Sequence, residues 1–147
     1  MMLANNVFTK YKEILDQYVS HALLLWIRIF VALVFYKSGM TKIANMESTV
    51  LLFEYEYGLP FLSPVLAAYS STFFELACSA LIMIGLFTRL ASLPLIIMTL
   101  VIQFFVFQNH EHFYWLALLG VIAVYGGGKI SAEHLLCKLC KSKCSED

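Results

Sequence analysis

The stretch RIFVALVFYKSGMTK, Arg28 to Lys42, decides how this chain folds. Its middle is apolar enough to dissolve in lipid, yet it carries Arg28, Lys37 and Lys42, and a charge near a bilayer centre costs at least a few kcal/mol. The surroundings agree with a membrane. Of 147 residues 61% are hydrophobic and 14% charged, with mean hydropathy +0.78, well above the roughly half-apolar makeup of soluble domains. Apolar windows approaching the ~20 residues a crossing helix needs run from Ala22 to Met40, Ser63 to Leu86 and Leu90 to Phe107, with a shorter one from Glu111 to Tyr125. The predicted fold is all-α: a four-transmembrane-helix bundle over residues 22–128. An amphipathic segment (1–21) precedes it and a basic, cysteine-containing tail (129–147) follows. That leaves no room for a soluble catalytic domain.

Residues 1–20 lack a short apolar core followed by a small-residue cleavage site, so they do not read as a signal peptide. Val7, Tyr11, Ile14, Leu15 and Tyr18 recur at helical spacing opposite Lys10, Lys12, Glu13 and Asp16, which suits a helix lying on the membrane surface. Lys10, Lys12, Arg89, Lys129, Lys138, Lys141 and Lys143 fall on one side if the N-terminus is cytoplasmic. The bias of cations toward that side predicts an N-in, C-in arrangement, with both termini in the reducing compartment if the membrane is a bacterial inner membrane. A net charge of +0 gives no basis for nucleic-acid binding.

After the first span, Glu47, Glu54 and Glu56 forbid a crossing, while Val50, Leu51, Phe53, Tyr55 and Tyr57 are too apolar for a free loop. A short surface helix stopped at Gly58-Leu59-Pro60 reconciles the two. Gly85 to Arg89 is a tight turn in which Thr88 can cap the next helix, so the second and third spans are antiparallel neighbours. Gly126-Gly127-Gly128 ends the fourth. Gly128-Lys129 with Ser131 lacks the preceding strand and the glycine spacing of a phosphate loop.

At 100° per residue Arg28, Phe35, Gly39 and Lys42 share one stripe, with Lys37 opposite and suited to snorkelling. Arg28 lies roughly 9 Å inside the membrane and needs a partner. Glu75, the acid within an apolar run, has Ser71, Thr72, Cys78 and Ser79 on its own face, and small residues allow close helix approach. Placed near mid-membrane, it stands about 7 Å from the Arg28 level, so an Arg28–Glu75 interaction, direct or through water, is expected. It either lines a polar pocket or locks helix register. Ser92, Thr99 and Gln103 form another polar stripe, and with Lys42, His110 and His112 they predict an interior that widens toward the far side. His110 and His112 do not share a helix face, so interfacial placement is their simpler reading.

In the tail, His134, Cys137, Cys140 and Cys144 have the spacing H-x2-C-x2-C-x3-C. Soft ligands at such intervals can hold zinc, copper(I) or a cluster. A solvated tail with reduced thiols is the plainer reading, and Cys78 in the second span is packing.

Taken together, Arg28, the F-Y-K-S-G-M-T-K segment ending at Lys42, Gly58-Leu59-Pro60, Glu75, Gly85 to Arg89 and the GGGKIS stretch resemble the DoxX family of small bacterial inner-membrane proteins, over about Ala22 to Leu136. The resemblance implies a four-helix membrane subunit linked to redox work. Relatives are associated with thiosulfate:quinone oxidoreduction, thiol and oxidative-stress complexes, or copper-binding peptide systems, and the His-rich turn before Tyr114-Trp115 is most similar to the last. The leading expectation is a quinone or small polar molecule bound between helices by Arg28, Lys42, Glu75, Gln103 and His110. Arg28 and Glu75 would be the reacting groups, beside a partner redox or peptide-modifying protein. The alternative is a non-catalytic scaffold or small-solute binder that anchors a partner enzyme, with a homo-oligomer open in either case.

Overall fold

The computed structural model describes residues 18–58, 62–106, 110–128 and 130–143, with 139–143 described by backbone alone. The amphipathic N-terminal segment up to Gln17, the Leu59-Pro60 stop, Gln108-Asn109, Lys129 and Cys144 lie outside them. The described residues form helices and turns with no strand. In chain order these are α1 (Ser20–Ala44), α2 (Met46–Leu52) continued by a π-helical turn (Phe53–Tyr57), α3 (Pro64–Ile84), α4 (Thr88–Phe105), α5 (His110–Tyr125) and α6 (Ala132–Lys143).

Length and apolarity make α1, α3 and α4 able to cross a membrane. At 1.5 Å per residue they measure about 37, 32 and 27 Å, against a hydrocarbon core of about 30 Å. The 16-residue α5 reaches about 24 Å. Large apolar side chains such as Trp26, Leu33, Phe73, Ile97 and Phe104 stay exposed around these helices. In water that would drive aggregation; in lipid it is the expected outer surface. This is a multi-pass integral membrane protein.

Local chemistry sets the helix ends. The Ser63 hydroxyl accepts from the Leu66 N–H at 3.4 Å, and Pro64 begins α3, where its missing N–H costs nothing. Gly85, at φ +82°, closes α3 as its N–H donates to Leu81 O. The next cap differs from expectation: Phe87, at φ +48°, occupies it without a side-chain bond, and Thr88 lies inside α4 with its buried hydroxyl unpartnered among the described residues. Asn45 caps α2 by accepting from the Ser48 N–H at 3.1 Å. The Thr49 hydroxyl donates to Lys42 O and Asn45 O at 3.1 and 3.0 Å, fixing α2 across the end of α1.

α1 packs mainly on α3, α4 lies against both α3 and α5, and α5 returns to touch α1. The core between them is apolar. Ile27, Val31, Ala32, Phe35, Cys78, Ile82, Leu95, Leu119 and Ile122 are all buried there. Two glycines fix the register of α1 on α3. A Cβ on Gly39 would stand 3.3 Å from the Glu75 Cβ and 2.9 Å from Leu76, while one on Gly85 would stand 2.8 Å from the Arg28 guanidinium. Gly39 therefore sits at the level of Glu75, and Arg28 at the level of Gly85.

Candidate functional site

That register overturns the expected Arg28–Glu75 contact. Arg28 and Gly39 are eleven residues apart, about 16 Å along the helix, with apolar packing between the two levels. The estimate of 7 Å placed the ends of the two spans level; the close approach at Gly39 instead slides α3 so that Glu75 faces the other end of α1. Its partner is Lys42, one turn beyond Gly39, whose ammonium donates to Glu75 Oε1. The lysine and glutamate side chains are 13% and 4% exposed, so the pair is withdrawn from bulk solvent. Glu75 Oε2 has no hydrogen-bond partner among the described residues.

Beside this pair lies a cavity of about 370 Å³. Lys42, Tyr57 and Ser70 give it polar groups, whereas Phe53, Met98 and Ile102 make its walls apolar. Leu62, Phe74 and Ile97 also line it and reach the outer surface, so its mouth opens on the flank. The roof is the π-helical turn, where Tyr57 stacks edge-on against Phe53 with centroids 4.5 Å apart. Burial pushes the Tyr57 phenol above its usual pKa, and the negative charges of Glu75 and then Glu56 push the same way. The phenol thus remains an O–H donor throughout the neutral range.

Arg28, 2% exposed, does different work. Its guanidinium donates to Gly127 O at 2.5 Å, Ile130 O at 3.0 Å and Met83 O at 3.4 Å. Helix C-termini leave carbonyls unsatisfied and carry partial negative charge. Arg28 thereby ties the end of α3 and the segment after α5 to α1.

The expected polar interior is also divided. The Ser71, Thr72, Ser79, Ser92 and Thr99 hydroxyls each donate to a carbonyl three or four residues back on their own helix. These bonds satisfy buried hydroxyls without any water. Gln103 is buried and pairs with His112, Oε1 to Nδ1 at 2.9 Å, joining α4 to α5; His110 is exposed at the start of α5. Among the described residues no three His, Cys, Asp or Glu side chains are placed to hold a metal ion. His134 and Cys137 are exposed on α6, and the side chains of Cys140 and Cys144 lie outside those residues.

Residues 23–108, more than half the chain, match the DoxX family. The chain belongs to the DoxX family. No functionally curated protein and no solved structure matches this DoxX chain. Sequence reasoning missed two features of its site: Lys42 as the partner of Glu75, and Tyr57 as part of the roof. The first had a signal, since Lys42 shares the stripe of Gly39, the residue small enough to admit α3. Tyr57 had none, because its placement depends on how the surface segment folds back over the bundle end.

Proposed function

We propose that this DoxX protein is a redox-associated membrane subunit that binds an amphiphile with a carbonyl head, a quinone, in the cavity beside Lys42 and Glu75. The supporting observation is a buried ion pair whose lysine lines an apolar cavity that opens sideways. The cavity is of the size that holds small ligands, and its mouth suits a molecule arriving from lipid. A quinone bound there supplies two-electron carrier chemistry, with the electrons coming from a partner protein. This chain's part is to donate hydrogen bonds from the Lys42 ammonium and the Tyr57 hydroxyl to the carbonyl oxygens and to hold or release a proton at Glu75. Arg28 and Gln103 support the site by fixing the helices. His110 takes no part in this arrangement.

In the same reading α5 is a short fourth span, completing a four-helix bundle with both termini on the cytoplasmic side of a bacterial inner membrane. The test is to extract the detergent-purified protein for quinone and then titrate it with a short-tailed quinone. Wild type binds; Ser70→Phe, which fills the cavity, abolishes binding; Lys42→Met weakens it about tenfold, the worth of one charge-assisted hydrogen bond. Absence of quinone from the extract, together with equal binding by wild type and Ser70→Phe, would refute the proposal.

A further inference from the structure

A second cleft, of about 870 Å³, opens at the opposite end of the molecule, where α1 and α4 begin and α5 finishes. Leu24 and Ile27 of α1 and Val121 of α5 form its apolar wall. Leu23 and Tyr125, 54% and 65% exposed, carry that wall out to the lipid-facing flank. The polar end holds Arg89, Glu133, His21 and His134.

Arg89 reaches the cleft across Gly126. That residue is at φ +69°, and a Cβ on it would stand 3.0 Å from Arg89 Nε. Glu133 is held in place by its own backbone, whose N–H donates to Gly85 O at 3.1 Å. Among the described residues neither Arg89 nor Glu133 makes an ion pair, with each other or elsewhere. One cation and one anion thus face the same cleft separately, and beside them an apolar track leads into the membrane. We infer that this cleft is a binding site for a phospholipid with a primary-amine headgroup, a phosphoethanolamine lipid. Arg89 takes the phosphate, helped by the ring N–H groups of His21 and His134; Glu133 accepts from the ammonium; an acyl chain lies along Leu24, Ile27 and Val121. A choline head offers Glu133 no N–H donor, and an anionic glycerol head presents it with no cation at all. The site is independent of the cavity at Lys42 and Glu75.

The test is native mass spectrometry of the full chain in detergent, titrated in parallel with dioleoyl phosphatidylethanolamine, phosphatidylcholine and phosphatidylglycerol. The ethanolamine lipid binds about tenfold more tightly than either of the others, the gain of one charge-assisted hydrogen bond. Arg89→Gln weakens all three lipids, while Glu133→Gln removes the preference for ethanolamine without weakening phosphatidylglycerol. Equal occupancy by the three lipids overturns the inference, as does an undiminished preference in both variants. Free phosphoethanolamine that displaces the lipid at equal concentration also overturns it, by showing that the ligand is soluble. Should either variant fail to fold, the order of the three lipids on wild type decides alone.

Discussion

Replacing Lys42 by Met removes the ammonium that faces Glu75 while keeping the length and apolar stem of the side chain. The carboxylate, 4% exposed, is then left without a counter-charge, and breaking a buried pair by removing one partner costs about 3–5 kcal/mol. Changing Glu75 to Gln in the same molecule removes the stranded charge, and the double variant returns to within about 1 kcal/mol of wild type, because a buried pair replaced as a unit is often neutral. The coupling between positions 42 and 75 is therefore at least about 2 kcal/mol. Arg28 and Glu75 provide the control. With their levels about 16 Å apart, Arg28→Met and Glu75→Gln add to within about 0.5 kcal/mol. The assay is reversible unfolding in mixed micelles by titration with a denaturing detergent, for the three single variants, the two double variants and wild type. An additive result at 42 and 75, or a large coupling between 28 and 75, would refute the register derived from Gly39 and Gly85.

Further outcomes follow from the same geometry. Gly85→Ala places a Cβ 2.8 Å from the Arg28 guanidinium at φ +82°; it costs at least about 1–2 kcal/mol from the backbone conformation alone, read as a lower unfolding midpoint than for Gly120→Ala, where nothing lies within 4 Å. Since the Tyr57 pKa is raised on folding, the folded chain holds that proton more tightly than the unfolded one. The resulting stability is complete below pH ~10 and lost as pH rises through the folded value; Tyr57→Phe flattens the alkaline limb of a stability-versus-pH curve, and an unchanged limb would disprove the assignment. Gln103→Leu and His112→Leu each cost about 1 kcal/mol, and the double variant costs less than their sum, because each single change strands the other's polar atom.

The helices were legible in the sequence because their causes are local. Apolar length marked α1, α3 and α4, and the tight turn at Gly85 marked an end whose left-handed backbone involves only nearby residues. Glu75 stood out equally well, since an acid within an apolar run demands a partner wherever the chain puts it. The identity of that partner was not legible. The 3.6-residue period gives the direction in which a side chain leaves a helix but not the height of one helix against the next. Thr88 misled for a related reason: a hydroxyl at a helix start is a good cap, yet Phe87 took the cap position and left the hydroxyl buried.

The chain alone thus determined a multi-pass helical membrane protein, its tight turn at Gly85 to Phe87 and the two ionisable residues, Arg28 and Glu75, that must be neutralised inside it. Tertiary structure decided how each is neutralised. The contact of Gly39 with Glu75 and Leu76 slides α3 along α1 until the acid meets Lys42, leaving Arg28 among the carbonyls that end α3 and follow α5. Helix registry of this kind depends on side chains far apart in sequence, which no local pattern encodes.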